Sequence, residues 1–419
     1  MRSSFLFLIG LLLAAFLSSC ATAPNVTFED YFNSAGTKYA NSDFSGAIAD
    51  LDRAIALRPG YAIAYNERSR AKQANSDFDG AISDADKALE LDPNFALAYS
   101  NRANAREDKG DHDGAIADYD TAIQLNPSEV SAYNNRARSK YAKGDYNGTI
   151  ADCDKAIELK PDYAPAYINR GSAKEAKGDP DGAIADADKG LELNPGIAVG
   201  YNNRGLAKED KGDLDGAIAD CDTAIELKPD YAYAYNNRGI AESGKGDLDG
   251  AFADYNKAIS LNPDYAHAYI GRGVAKCSQG DFRGAITDYN KSIDLNKDKA
   301  DYARFYLNLT LRRLHRDDGP AELASAVAKW TDGWPKTVGL YLTRTLTESG
   351  FLAQAGQGDA KTVREHQCEA FYYAGMIHFL ANEPTVARGL FEKCLATNVT
   401  NFSEFDLARA ELGRLPDPH

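Results

Sequence analysis

Along most of the chain, apolar and small residues recur at helical spacing in paired stretches, as in Tyr235 to Pro263, where Lys245-Gly246-Asp247 separates the two. The pairs themselves recur. Gly stands at 46, 80, 114, 148, 182, 216, 250 and 284, thirty-four residues apart each time. Tyr keeps the same register at 31, 65, 99, 133, 167, 201, 235 and 269, and Pro at 59, 93, 127, 161, 195, 229 and 263; the eighth unit has Lys297 instead. This period predicts eight helix-turn-helix units over 28–299. A hairpin buries only one face by itself, so neighbours must stack, with Pro ending each second helix. In turns such as Gly110-Asp111-His112-Asp113-Gly114, the helix begins directly after the acids. Asp111 is therefore an N-cap and not a ligand of a calcium loop, whose oxygens spread over twelve residues.

The pattern resembles the tetratricopeptide repeat, whose aromatic, small, Ala, aromatic, Ala and Pro positions stand here as Tyr99, Ala103, Ala115, Tyr119, Ala122 and Pro127. The resemblance implies an all-α superhelical solenoid whose concave groove takes protein or peptide ligands. Two polar columns run through the repeats. Arg68, Arg102, Arg136, Arg170, Arg204, Arg238 and Arg272 occupy a usually apolar position and need partners, which Asp84, Asp118, Asp152, Asp186, Asp220, Asp254 and Asp288 supply sixteen residues later. In the first unit Ser34 replaces Arg, so Asp50 is expected to pair with Arg68 of the next unit. The other column is Asn33, Asn101, Asn135, Asn169, Asn203 and Asn237, interrupted by Glu67 and ending at Gly271. A primary amide both donates and accepts, so Asn101 to Asn237 form a candidate peptide-binding ladder that reads backbone rather than side chains. It resembles the asparagine ladder of the O-linked N-acetylglucosamine transferases.

From Ala300 the period breaks. Helices are expected at Tyr302 to Arg316, Ala321 to Trp330, Pro335 to Glu348 and Ser403 to Leu412, with a degenerate ninth repeat at 368–397 and a tail at 414–419. This helical region, 300–413, is expected to cap the apolar end of the solenoid. In the ninth unit Gly375 and Ala387 mark the close approach of two antiparallel helices. Residues facing across such a hairpin keep a constant sum of positions, and Cys368 with Cys394 has the same sum as that pair. They are expected to lie side by side and, in an oxidising compartment, to form a disulfide. Cys153 and Cys221 sit two units apart at one inward position and read as small core residues.

Of 419 residues, 44% are hydrophobic, enough for a continuous core, and the formal charge is -15. Residues 28–299 hold 33 basic and 47 acidic side chains, so the acidity belongs to the repeats and no phosphate-neutralising surface is expected. The six His residues show no zinc-binding spacing, and no P-loop, dinucleotide fingerprint or nucleophile elbow occurs. His378 reads as a structural, hydrogen-bonded residue. No catalysis, cofactor or metal is expected.

The first nineteen residues follow an export pattern: Arg2, the apolar run Phe5 to Leu17, then Ser18 and Ser19. Leu17-Ser18-Ser19-Cys20 resembles the bacterial lipobox, which implies cleavage after 19, acylation of Cys20 and a tether over 20–27. With Ala21 next, the resemblance implies an outer-membrane anchor and a periplasmic body. Glu369-Ala370-Phe371-Tyr372-Tyr373-Ala374-Gly375 and Asn398-Val399-Thr400-Asn401-Phe402-Ser403-Glu404 resemble the C-terminal segment of the NlpI family of enterobacterial tetratricopeptide lipoproteins. That resemblance implies a scaffold or adaptor linking a periplasmic protease to cell-wall hydrolases. Assembly of secretins, pili or outer-membrane complexes is a second role for such a chain. Peptidoglycan binding is a third, for which Tyr39, Tyr141 and Tyr233 are the sparse groove aromatics.

Overall fold

The computed structural model describes residues 26–297, 300–316, 318–399 and 402–415; the leader 1–19 and the anchor residue Cys20 lie outside them. Among the described residues the secondary structure is helical throughout, and the chain divides into two compact units at Pro161 and Asp162. No helix there is long and apolar enough to cross a membrane.

The first unit holds four hairpins, from Phe28–Ala40 with Phe44–Leu57 to Val130–Ala142 with Tyr146–Leu159. The second begins with four more, from Ala164–Ala176 with Pro180–Leu193 to Ala266–Gln279 with Phe282–Leu295. Within each unit, consecutive hairpins pack in chain order. The packing layer is built on alanine: Ala47, Ala81 and Ala115 are wholly buried where the second helix meets the first.

The glycine period has a local cause. Asp111 caps the helix His112–Leu125 by accepting from the Gly114 N–H at 3.0 Å, and the cap repeats from Asp43 to Asp281. A Cβ at Gly114 would overlap the Asp111 carboxylate, so the capping acid and the glycine three residues on are selected together.

The Arg–Asp column forms as paired forks. Arg68 donates through Nε (2.8 Å) and Nη2 (2.6 Å) to both oxygens of Asp84, and Arg102 (2.9 and 2.5 Å) and Arg204 (2.9 and 2.6 Å) treat Asp118 and Asp220 alike. The structure adds two partners that the sixteen-residue spacing alone does not reveal. The third arm reaches back to the preceding repeat, as Arg68 Nη1 does to Asp52 at 2.6 Å, and in the eighth repeat Arg272 Nη1 meets an amide there, Asn256 Oδ1, at 2.7 Å. A second cation also serves the buried Asp in most repeats: Lys72 stands 2.8 Å from Asp84 and Lys208 2.8 Å from Asp220, whereas the seventh repeat has Glu242 at that position. The Tyr three residues before each Arg lies under its guanidinium, 5.3 Å from ring centre to Cζ for Tyr99 and Arg102. The first unit departs from expectation. Asp50 is held by Ser34 (2.6 Å), Lys38 (2.6 Å) and Arg53 (2.9 Å), not by Arg68, whose three arms are spent on Asp84 and Asp52.

After the repeats, Asp301–Arg313 packs on Phe282–Leu295 and continues the stack. The helix expected over 335–348 is instead two helices. Trp334–Leu342 ends where Arg344 turns left-handed (φ +62°), and Thr347 caps Glu348–Ala355 by accepting from Gly350 N–H at 3.2 Å. Ala360–Leu380 and Pro384–Ala396 form an antiparallel hairpin, closed where Gly375 lies against the Phe391 ring. Ser403–Leu412 does more than extend an end cap: it folds back onto the first helices of the seventh and eighth repeats. Ser243 donates to Asp406 (2.9 Å), and Arg414 donates to the Cys277 and Ser278 carbonyls (2.6 and 2.9 Å). Its Glu404 is buried beside Glu369, where Tyr306 (2.7 Å) and Tyr373 (2.6 Å) donate to Glu404 and Tyr302 donates to Glu369 (3.2 Å). Burial first, and then the neighbouring Glu404, pushes the Glu369 carboxyl well above the usual range.

Candidate asparagine ladder on the first helices

In each unit the Asn column lies on first helices of the hairpins, two residues before the small residue that meets the second helix, as Asn203 stands before Gly205 and Asn237 before Gly239. In the first unit Asn33 is exposed, whereas Asn101 and Asn135 are half-buried. Asn101 Nδ2 donates to Asn66 Oδ1 (2.8 Å), thirty-five residues earlier, and Asn135 Nδ2 donates to Asn104 Oδ1 (3.1 Å). Glu67, which interrupts the column, is tied to Arg70 at 2.7 Å.

The second unit repeats the arrangement. Asn203 Nδ2 donates to Ser172 Oγ (2.7 Å) and Asn237 Nδ2 to Asn202 Oδ1 (3.0 Å); Asn169 is half-buried in the same column. The residue before each ladder Asn matters as well. Asn134, Asn202 and Asn236 are buried and donate to Asn135, Asn203 and Asn237 Oδ1 at 3.2, 3.4 and 3.2 Å. Each of these ladder amides thus gives one N–H to the preceding hairpin and receives one bond. An amide has two N–H groups and two lone pairs, so one donor and one acceptor remain for a ligand. The internal bonds hold the amide plane, which lowers the ordering cost of binding.

Beside Asn237 lies a cavity of about 280 Å³, walled by Asn236, Tyr265 and His267 and by Asp406 of the returning helix. Burial pushes the Asp406 carboxyl up to about 6 and holds His267 below its ordinary value. Nearby acids share this environment: burial, with Asp210 and Asp406 adding, pushes Glu209 up to about 8, and burial with Asp210 pushes Glu175 up to about 7. The site is a strip of amides bordered by acids. Among the described residues no group of His, Cys, Asp and Glu is placed to hold a metal.

The remaining expected residues fall as follows. Cys368 and Cys394 do lie side by side, wholly buried with sulfurs 3.5 Å apart, but as free thiols. Cys153 and Cys221 are buried core residues. His378 bridges two acids, Glu383 through Nδ1 and Glu348 through Nε2 at 2.8 Å. Tyr141 and Tyr233 are exposed, whereas Tyr39 lies under the Arg70 guanidinium, 4.2 Å from ring centre to Cζ.

Family models described as tetratricopeptide repeat match residues 35–94, 96–129, 130–163, 164–197, 198–231 and 232–265. The chain belongs to the tetratricopeptide repeat family. A tetratricopeptide repeat protein from Parabacteroides merdae is similar in fold, with 20% identity and a TM-score of 0.50, over 60% of this chain and 98% of that one. Human IFIT1, in a dimer with PPP-AAAA, is similar over 89% of this chain and 91% of its own, with 12% identity and a TM-score of 0.57. At these identities the likeness is one of fold alone. No curated protein matches the chain. Proteins of this repeat family generally mediate protein–protein interactions and are typically non-catalytic scaffolds.

Proposed function

We propose that this protein is an envelope-anchored adaptor that holds extended segments of partner proteins along its asparagine ladder. The observation that carries the reading is Asn237: a half-buried amide, fixed by its neighbours, with one donor and one acceptor unused at the edge of a cavity. Each hydrogen bond to a partner nets about 0.5–1.5 kcal/mol. Several ladder positions together would therefore reach micromolar affinity, about -8 kcal/mol. The excess of acids over the repeats, 47 against 33 basic side chains in 28–299, favours a basic segment. The lipobox resemblance around Cys20 supports anchoring by acyl chains at the outer membrane, with the body in the periplasm. The C-terminal resemblance supports an NlpI-like role, bringing a periplasmic protease to cell-wall hydrolases.

Partner capture tests the ladder. Proteins recovered with detergent-solubilised wild-type chain should be depleted several-fold with Asn203→Ala/Asn237→Ala. Because both amides also bridge hairpins, the double variant should lose about 1–3 kcal/mol of stability while staying folded. Undiminished capture by the folded variant would remove the ladder from binding. For the anchor, Cys20→Ser should move the protein from the membrane to the soluble fraction and abolish labelling by a palmitate analogue. A wild-type chain that is soluble and unlabelled would rule the anchor out.

A further inference from the structure

Away from the ladder, Asp301–Arg313, Asp318–Val327, the turn after Trp334–Leu342 and the end of Ala360–Leu380 border an open cavity of about 440 Å³ with two arginines on its wall, Arg312 and Arg344. Repeat arginines such as Arg68, Arg102 and Arg204 are locked to carboxylates, whereas half-buried Arg312 and exposed Arg344 have no carboxylate partner among the described residues. Arg312 gives one N–H to the Leu342 carbonyl (2.6 Å), which caps the end of Trp334–Leu342, while its Nε is buried without a partner. A guanidinium carries five N–H donors, so most of this one is unspent. Burial, and then the Arg344 guanidinium, hold Arg312 below its ordinary value, the mark of a cation placed near another cation in a poorly solvated site.

Arg344 is notable for its backbone. It occupies the left-handed position after a helix (φ +62°), where glycine is the least costly residue. Among the described residues its exposed side chain makes no ion pair that would offset this strain. The rest of the lining is Thr343 and an apolar wall of Pro320, Ile377, Leu380 and Ala381. Two guanidiniums on one cavity wall suit a carboxylate, and the apolar wall matches a hydrocarbon body attached to it. A free inorganic anion would leave that wall uncovered.

We infer that this cavity binds a carboxylate carried on an apolar body, in the form presented by the C-terminal residue of a partner polypeptide ending in Leu, Ile or Phe. The site is separate from the ladder, so it stands or falls independently of the adaptor reading.

A fluorescent hexapeptide ending in Leu, as the free acid and as the C-terminal amide, provides the probe, with the full chain titrated in each case. The acid should bind and the amide should bind at least about tenfold more weakly, the loss expected when one charge-assisted contact of about 1.4 kcal/mol disappears. Arg344→Gly should weaken binding of the acid by a similar factor while melting at or above the wild-type temperature, since glycine relieves the left-handed position. Arg312→Gln should also weaken it. Equal binding of acid and amide, unchanged binding by Arg344→Gly, displacement by inorganic phosphate as effective as by unlabelled peptide acid, or no binding of the acid would each overturn the assignment.

Discussion

Replacing Arg238 by alanine is expected to destabilise the protein by about 3–5 kcal/mol, more than the same change one repeat earlier. Arg238 forks onto Asp254 through Nε (2.6 Å) and Nη2 (2.7 Å) and reaches Asp222 through Nη1 (2.5 Å). Asp254 is 5% exposed, so deleting the guanidinium leaves a desolvated charge. In the other repeats a second cation would remain: Lys208 stays 2.8 Å from Asp220 if Arg204 is removed, so Arg204→Ala should cost only about 2 kcal/mol. In the seventh repeat the equivalent position is Glu242, whose Oε2 is buried without a partner. Burial first, and then Asp254, pushes the Glu242 carboxyl from 4.5 up to about 7. A folded carboxyl with a raised value holds its proton where the unfolded chain has released it, so its contribution to stability falls as pH rises from about 4.5 to 7. The cost of Arg238→Ala should accordingly be larger at pH 8 than at pH 5, where protonated Glu242 no longer repels Asp254. Urea unfolding of both variants at the two pH values measures this; equal costs for Arg204→Ala and Arg238→Ala would show that the lysines do not share the load.

What the sequence made legible follows the same division. The thirty-four-residue period exposes every helix pair of the repeats, because cap, glycine and turn are local and recur eight times. The Arg–Asp pairing is legible for a similar reason: sixteen residues separate facing positions of one hairpin. The Asp52-type partner and the Lys72-type cation also recur, broken at Asn256 and Glu242, but they lie beside a column whose charge is already matched. The ladder Asn residues could be picked out by repetition, yet their bonds to the preceding hairpin depend on offsets of thirty-one and thirty-five residues, which only the stacking geometry sets. Beyond residue 300 there is no repetition to average over. The break at Arg344 has no glycine to announce it, and the return of Ser403–Leu412 rests on contacts such as Ser243 with Asp406, 163 residues apart. Amphipathic pattern identified that helix without indicating which surface it covers.

In an oxidising compartment, Cys368 and Cys394 should close a disulfide that stabilises the C-terminal part by about 3–4 kcal/mol, the chain-entropy value for a loop of this size. The two sulfurs face each other at 3.5 Å, 26 residues apart in the chain, on the antiparallel helices Ala360–Leu380 and Pro384–Ala396, so only a small shift separates contact from a bond. Their surroundings also dictate when the bond can form. The hydrogen bond to Cys368, and then burial, pushes the Cys394 thiol far above its usual range, with Glu404 and Glu369 opposing a thiolate further. Attack on an oxidant requires the thiolate and access to it, both suppressed in the packed hairpin. Oxidation should therefore occur during folding, before Ser403–Leu412 docks, and be slow in a chain first folded in a reducing compartment. Alkylation after denaturation reads the outcome: protein exported through an oxidising compartment should label at Cys153, Cys221 and Cys277 but not at 368 or 394, and its melting temperature should fall when reductant is present throughout unfolding. Cys394→Ala should reproduce the reduced melting temperature and make it insensitive to reductant. Labelling of all five cysteines in the exported wild-type protein would show that the pair remains two buried thiols.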